Sequence, residues 1–162
     1  MEELTSIYDL QPHPEGGFYK RSYCSTGVIL DSNQNDKFKG QRYFSTAIYY
    51  LLPHGARSKL HRIASDEMWH FYMGGPMTII EISPLGTVKH TILGSNIKQG
   101  HKLQHVVPAG TWFGSLPNEG TAYSFVGCTV SPGFDFADFE MGDKQVLLAQ
   151  FPHCKEIMES LL

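Results

Sequence analysis

Apolar residues along this chain form short runs that are interrupted by glycine and proline. The strongest strand signal is residues 44–52, which are β-branched, aromatic and apolar on both faces. Similar runs recur at roughly ten-residue spacing, and we count about nine or ten short strands. Apolar residues recur at helical spacing near the two ends, over residues 1–10 and 144–162. The pattern therefore predicts an all-β fold with short flanking helices.

The order of these elements limits the architecture. Strands do not alternate with helices, which disfavours a parallel sheet, and no repeat or linker is evident. The length of 162 residues fits one domain, and 12% aromatics with 16 glycines and 9 prolines fit a β fold rich in turns. We expect a single domain over residues 1–162, with its core at about 8–141 and a helical C-terminal tail at 144–162.

Charge and cysteine content limit the kinds of binding partner and the cellular compartment that we expect for this protein. The net charge is −3, and no cluster of Lys and Arg suggests binding to nucleic acid. No apolar run of 18 residues predicts a membrane span, and the acidic start lacks the pattern of a signal peptide. Cys24, Cys128 and Cys154 lack C-x-x-C spacing, and Cys128 lies in an apolar strand as an inert thiol would. We expect a cytoplasmic protein with free thiols, and the nucleus stays the alternative compartment.

The stretch over residues 55–75 carries the main candidate chemistry. A glycine turn, a polar strand, an acidic turn and an aromatic strand follow one another. This order predicts that His61 and Glu67 lie on neighbouring β elements and face one interior. An imidazole beside a carboxylate can transfer protons, because the carboxylate fixes the imidazole tautomer and raises its basicity.

Five blocks of sequence, in order, resemble the DUF985 (Cupin_5) family of the cupin superfamily. They are LQPHPEGGFY at 10–19, STAIYYLL at 45–52, SKLHRIASDEMW at 58–69, VPAGTWF at 107–113 and GCTVSPGFDFADFE at 127–140. The resemblance implies a cupin jelly-roll β-barrel, a double-stranded β-helix that is usually a homodimer. It also implies structural likeness to dTDP-sugar epimerases and to seed storage and germin-type cupins. It implies no proven reaction.

The resemblance also bears on metal binding. Many cupin metal centres use two His and one Glu from a first motif and a His from a second, and the matching residues here are His61, Ile63, Glu67 and Phe113. Ile and Phe donate no electron pair, so His61 and Glu67 alone would hold a divalent metal weakly. His70, His101 and His105 are possible substitutes. We expect no certain cofactor, and a divalent metal stays an alternative.

The leading hypothesis is a sugar or sugar-phosphate isomerase or epimerase. His61 would act as base or acid and Glu67 as its partner, and Arg21, Lys59 or Arg62 would hold a phosphate or stabilise an enolate. Aromatic side chains would cover a sugar ring. The predicted substrate-binding residues are Glu15, Phe18, Ser58, Lys59, Arg62, Trp69, Phe71, Gln104, Trp112 and Phe113.

Two other functions stay open. The same cavity could bind a carbohydrate or nucleotide without catalysis, or the protein could be a metal-dependent oxygenase, which Ile63 and Phe113 disfavour. In every case the expected partner is a small sugar-like molecule, with no nucleic acid and no membrane, and the expected assembly is a homodimer.

Overall fold

Two antiparallel sheets lie face to face in the computed structural model, which describes residues 1–30, 38 and 40–162. The predicted all-β fold is confirmed. In the described part of the chain the strands are β1 (Gln11–Pro12), β2 (Phe18–Cys24), β3 (Val28–Ile29), β4 (Arg42–Tyr43), β5 (Thr46–Pro53), β6 (Ser58–Arg62), β7 (Asp66–Gly74), β8 (Met77–Ile82), β9 (Val88–Leu93), β10 (Gln104–Val107), β11 (Trp112–Pro117), β12 (Tyr123–Ser131) and β13 (Glu140–Met141).

The strand order is that of a jelly roll. One sheet has the order β1-β2-β5-β12-β7-β10 and the other has the order β13-β6-β11-β8-β9. Strands far apart in sequence are therefore neighbours, as β5 and β12 are, and β12 also pairs with β7. A separate short pair joins β3 and β4.

The main core fills the space between the two sheets. Side chains alternate between the faces of each strand, so every second residue points into this space. On β7 these residues are Glu67, Trp69 and Phe71, whereas His70 faces outward and its ring bonds to Thr129 and Gln104. On the strand and turn that start at β6, His61 and Ile63 point inward.

Short helices cover the outer faces of both sheets. Helix α1 (Glu2–Ile7) places Leu4 over the first sheet, where Tyr8 and Phe18 join the same cluster. Helices α2 (Lys144–Gln150) and α3 (Lys155–Leu161) cover the second sheet and bury Leu147, Met158 and Leu161 against it. These helices shield apolar strand faces that would otherwise meet water.

Among the described residues, no helix combines the length and the apolar character that crossing a membrane requires.

Candidate functional site

A cavity of about 330 Å³ opens at one end of the barrel, between the N-terminal arm and strands of both sheets. Its wall combines ionisable side chains with apolar and aromatic ones, as binding sites for small molecules commonly do. It is lined by Gln11, His13, Glu15, Tyr19, Lys20, Arg21, Thr46, Ile48, His61, Ile63, Glu67, Cys128, Val130, Phe134, Phe136 and Phe139.

The N-terminal arm, residues 11–17, carries Glu15 into this cavity. Gly16 and Gly17 have φ values of 115° and 69°, which allow the chain to turn back sharply after Glu15. The Lys59 amide donates to the Glu15 carbonyl at 2.9 Å, and the Tyr50 hydroxyl donates to the Gly16 carbonyl at 2.7 Å. The arm is thus bonded to β6 and β5, and the Glu15 side chain is buried.

His61 and Glu15 form the central contact of the site. Nδ1 of His61 lies 2.7 Å from the Lys59 carbonyl oxygen, which can only accept, so Nδ1 carries a proton. Nε2 lies 3.0 Å from Oε2 of Glu15. Burial lowers the pKa of His61 and raises the pKa of Glu15, so both groups favour their neutral forms. A single proton therefore joins Nε2 and Oε2.

Glu67 is the second buried carboxyl group of the cavity. Burial raises its pKa to about 7, although the charge of His61 opposes the shift, and the charge of Glu15 adds to it. Glu67 can therefore gain or lose a proton near neutral pH. Cys128 lines the cavity on the neighbouring strand β12, and burial raises the pKa of its thiol far above the usual value.

His13 lies on the other side of Glu15. Its Nδ1 accepts a hydrogen bond from the Glu15 amide at 3.3 Å and is 3.7 Å from Oε1 of the same residue. An acceptor nitrogen carries no proton, and burial lowers the pKa of His13, so this imidazole is neutral. Glu15 is thus flanked by two imidazoles.

Aromatic side chains form one wall of the cavity. Phe134, Phe136 and Phe139 contact one another edge to face, with ring centres 5.0 to 6.3 Å apart. The Phe139 ring also stacks on His61, with ring centres 5.3 Å apart. These rings keep water from His61 and offer a flat apolar surface to a ligand.

The donor groups do not fit the metal centre that many cupins have. Ile63 occupies the position of the second His of the first motif and is buried on the cavity wall. Phe113 occupies the position of the second-motif His, and its ring packs 4.2 Å from the His61 ring. Among the described residues, no group of three or more His, Cys, Asp or Glu side chains is arranged to hold a metal ion. We therefore derive no chemistry through a metal.

Of the predicted site residues, His61, Glu67 and Glu15 line the cavity. Ser58, Trp69, Phe71 and Phe113 do not. Trp69 and Phe113 are almost fully buried in the core, where Phe71 also packs. Ser58 is fully buried and does not line the cavity, and hydrogen bonding by its hydroxyl lowers the pKa of Glu15. These four residues support the site from the interior and do not face a ligand.

The predicted roles of Lys59, Arg62, Trp112, Gln104 and Phe18 need correction, because these side chains lie outside the cavity. Lys59 contributes backbone groups, and its side chain is exposed. Arg62 pairs with Glu140 at 2.6 Å and lies over the Trp112 ring on the outer face of the second sheet. Gln104 bonds to the outward-facing His70, and Phe18 packs under α1.

Several lining residues were not among the predicted site residues. They come from the arm, from β2 and from the segment after β12, and the most consequential are His13, Tyr19, Lys20, Cys128, Phe134 and Phe139. The sequence blocks at 10–19 and 127–140 contain a pattern from which these lining residues could have been predicted. Both combine ionisable or aromatic residues with paired turn residues, Gly16-Gly17 and Pro132-Gly133, next to a strand.

Comparison with known proteins places this geometry in a family. The model of the Cupin_5 family, described as Cupin superfamily (DUF985), matches residues 2–142. The uncharacterized protein YML079W of Saccharomyces cerevisiae is 31% identical over 147 residues, which are 85% of this chain and 73% of that protein.

Solved structures agree with this placement. Protein SO0799 from Shewanella oneidensis is 39% identical, with a TM-score of 0.88 over 99% of this chain and 95% of that one. A hypothetical protein from Leishmania major is 30% identical, with a TM-score of 0.90 over 99% and 97%. Oxalate decarboxylase from Bacillus subtilis shares the fold at 15% identity, with a TM-score of 0.57 over 95% of this chain and 37% of the enzyme. The chain therefore belongs to the Cupin_5 (DUF985) family of the cupin superfamily.

Proposed function

We propose that this cupin is an isomerase or epimerase that moves a proton at a carbon next to a carbonyl group in a sugar-like molecule. The observation that carries the proposal is the buried contact of 3.0 Å between His61 Nε2 and Glu15 Oε2, beside a second carboxyl group with a pKa of about 7. Shifted pKa values that come together in a cavity are typical of acid–base sites.

Glu67 and the His61–Glu15 pair take complementary roles as base and acid. Ionised Glu67 removes the proton from the carbon, and the proton shared by His61 and Glu15 passes to the carbonyl oxygen, which gives a neutral enediol. The return of the Glu67 proton to the neighbouring carbon completes an isomerisation, while the hydroxyl group on the first carbon gives its proton back to the His61–Glu15 pair and becomes the new carbonyl group. Its return to the opposite face of the same carbon, after the intermediate reorients, completes an epimerisation, and the original carbonyl oxygen gives its proton back to the His61–Glu15 pair. The Lys59 carbonyl holds the His61 ring in one orientation throughout.

The size and lining of the cavity suit a compound of this kind. A volume of about 330 Å³ lies at the small end of ligand sites. Phe134, Phe136 and Phe139 offer apolar faces on which a sugar ring can stack, and they exclude water from the acid–base groups. Water exclusion strengthens each electrostatic interaction inside the cavity.

The aromatic wall also supports a second candidate function, the binding of a carbohydrate or nucleotide without turnover. Stacking on Phe134 and Phe136 requires no proton transfer, and the buried carboxyl groups would then only hydrogen-bond to the ligand. The two functions differ in one observable: only the enzyme exchanges a carbon-bound hydrogen with solvent.

The test is hydrogen exchange in D₂O. We would incubate the purified protein with aldoses, ketoses and their phosphates and follow loss of the carbon-bound proton signal by NMR. We expect one class of compound to exchange with the unaltered protein, and His61→Gln to slow exchange by about 100-fold or more.

The matched control is His70→Gln. His70 lies on β7, the next strand along the chain after the strand of His61, but it faces outward, against Thr129 and Gln104. The His70→Gln variant should catalyse hydrogen exchange at the same rate as the unaltered protein. Compounds that raise the melting temperature without exchange would favour the binding function, and exchange that His61→Gln leaves unchanged would contradict the proposed mechanism.

A further inference from the structure

Arg21 is a cation on β2 that lines the cavity. Its neighbour across the sheet is Ile48 on β5, and both residues line the cavity. Arg21 also lines an adjoining depression together with Tyr43, Phe134 and Phe136. The residue is exposed, so its guanidinium lies at the mouth, where the inner cavity and the depression meet.

Neighbouring cations already have anionic partners, and Arg21 differs from them. Lys20 pairs with Asp9 at 2.6 Å, and Arg42 forms a bidentate pair with Asp138 at 2.6 and 2.7 Å. Within the described part of the chain, Arg21 has neither an ion pair nor a side-chain hydrogen bond. Its five N–H donors are therefore available to a ligand.

We propose that Arg21 binds an oxyanionic group of the substrate, a phosphate or a carboxylate, at the mouth of the cavity. The planar guanidinium matches both groups, since each offers two oxygens to a pair of parallel N–H donors. The carbon skeleton then extends inward between Phe134 and Ile48. The part of the inference that places the reacting carbon beside His61 and Glu67 rests on the proposed function.

The charges of the cavity determine the orientation of the substrate, because an anionic group that pointed inward would be unfavourable. Glu15 and Glu67 lie in the inner cavity, and burial already disfavours their ionised forms. A phosphate or carboxylate placed beside them would repel these groups and raise their pKa values further. The anion at Arg21 and the neutral, carbonyl-bearing end at His61 are therefore the compatible orientation.

The experiment uses two separate probes, inorganic phosphate and acetate, and measures their binding to the full chain by isothermal titration calorimetry at low ionic strength. Binding of phosphate alone assigns a phosphate group, binding of acetate alone assigns a carboxylate, and binding of both supports the shared oxyanion site. We expect Arg21→Gln to weaken binding by about tenfold or more, and Arg21→Lys to retain part of the affinity.

Arg62→Gln is the matched control, because it removes the same charge from a side chain that lies outside the cavity and pairs with Glu140. We expect it to change anion affinity less than about twofold, as for an exposed ion pair. The proposal is overturned if neither anion binds, or if Arg21→Gln and Arg62→Gln weaken binding equally.

The same variants separate this inference from the proposed reaction. His61→Gln should still bind the anion, because Arg21 lies at the mouth. If anion binding depends on Arg21 but no sugar exchanges hydrogen, the anion site stands and the proposed reaction fails. If exchange occurs equally well with neutral and anionic sugars and Arg21→Gln leaves KM unchanged, the reaction stands and the anion site is refuted.

Discussion

The side chains of Glu15 and His61 meet at 3.0 Å, although one belongs to the N-terminal arm and the other to strand β6 of the barrel. A backbone hydrogen bond joins the same two segments, since the Lys59 amide donates to the Glu15 carbonyl at 2.9 Å. The contact therefore links two separate parts of the chain, and the proposed chemistry depends on both.

Glu15→Gln tests the proton that this contact shares. The amide keeps the size and hydrogen-bonding ability of the side chain but cannot hold the proton, so we expect kcat for exchange to fall by about 100-fold with KM little changed. Steady-state kinetics of the exchanging compound measure both constants. Glu140→Gln is the control, because Glu140 pairs with Arg62 on the outer face. Equal kcat values for the two variants would contradict the role of Glu15.

Glu67→Gln tests the buried carboxyl group through stability. The pKa of Glu67 is about 7 in the folded protein against an ordinary 4.5, so ionisation destabilises the fold. The unaltered protein should match the variant below pH 4.5 and lose stability relative to it as pH rises to about 7. Above that pH the difference is constant, at roughly 3 kcal/mol as an upper limit.

Urea denaturation of both proteins between pH 4 and pH 9 measures this difference. A variant that is less stable than the unaltered protein by the same amount at every pH would show that Glu67 does not titrate as its burial requires.

Gly16→Ala tests how firmly the turn of the arm is fixed. A Cβ at Gly16 would collide with the Arg57 carbonyl oxygen, and the φ of 115° is unfavourable for alanine. We expect the free energy of unfolding to fall by roughly 3 kcal/mol, the upper end of the range for backbone strain.

The matched control for the turn is Gly55→Ala. Gly55 also has a positive φ, 74°, but no atom lies within 4 Å of its added Cβ, so we expect a loss of only about 1 kcal/mol. Chemical denaturation of both variants measures the contrast. Similar losses would show that the arm can move away from Arg57 without cost.

Side-chain alternation explains which parts of the site could be predicted from the sequence. His61 and Glu67 can be predicted because they lie on consecutive β elements, whose inward-facing positions follow from a period of two. Arg62 and Trp112 each adjoin an inward-facing residue in sequence, and for that reason they face outward, where they contact each other.

The role of Glu15 could not be predicted in the same way. Its sequence neighbours show a turn with two glycines, but only the tertiary fold brings that turn beside β6. The jelly-roll order, in which β5 pairs with β2 and β12, likewise depends on contacts between distant segments. Local patterns predict strands and faces well, whereas the partner of a buried ionisable group depends on topology.

Ile63→His tests whether a third donor group would create a metal centre in the cavity. Ile63 faces the cavity two residues after His61, so a histidine there would add a third donor to His61 and Glu67. We expect the variant to bind roughly one equivalent of Zn²⁺ per chain after dialysis, measured by mass spectrometry of metal content.

The control for metal binding is the double variant Ile63→His with Glu67→Gln, which removes one of the three donors and should lose most of the metal. Equal Zn²⁺ content in the single and double variants would show that the ion binds elsewhere.

The division of the site between the arm and the barrel has an evolutionary consequence. Replacement of a few residues in the arm would change Glu15, the proposed acid–base group of the arm. Apart from β1, which belongs to the arm, the strands of both large sheets would keep their pairing. A duplicated copy of such a protein could therefore gain or lose the proposed turnover through changes in the arm, while the barrel kept its fold.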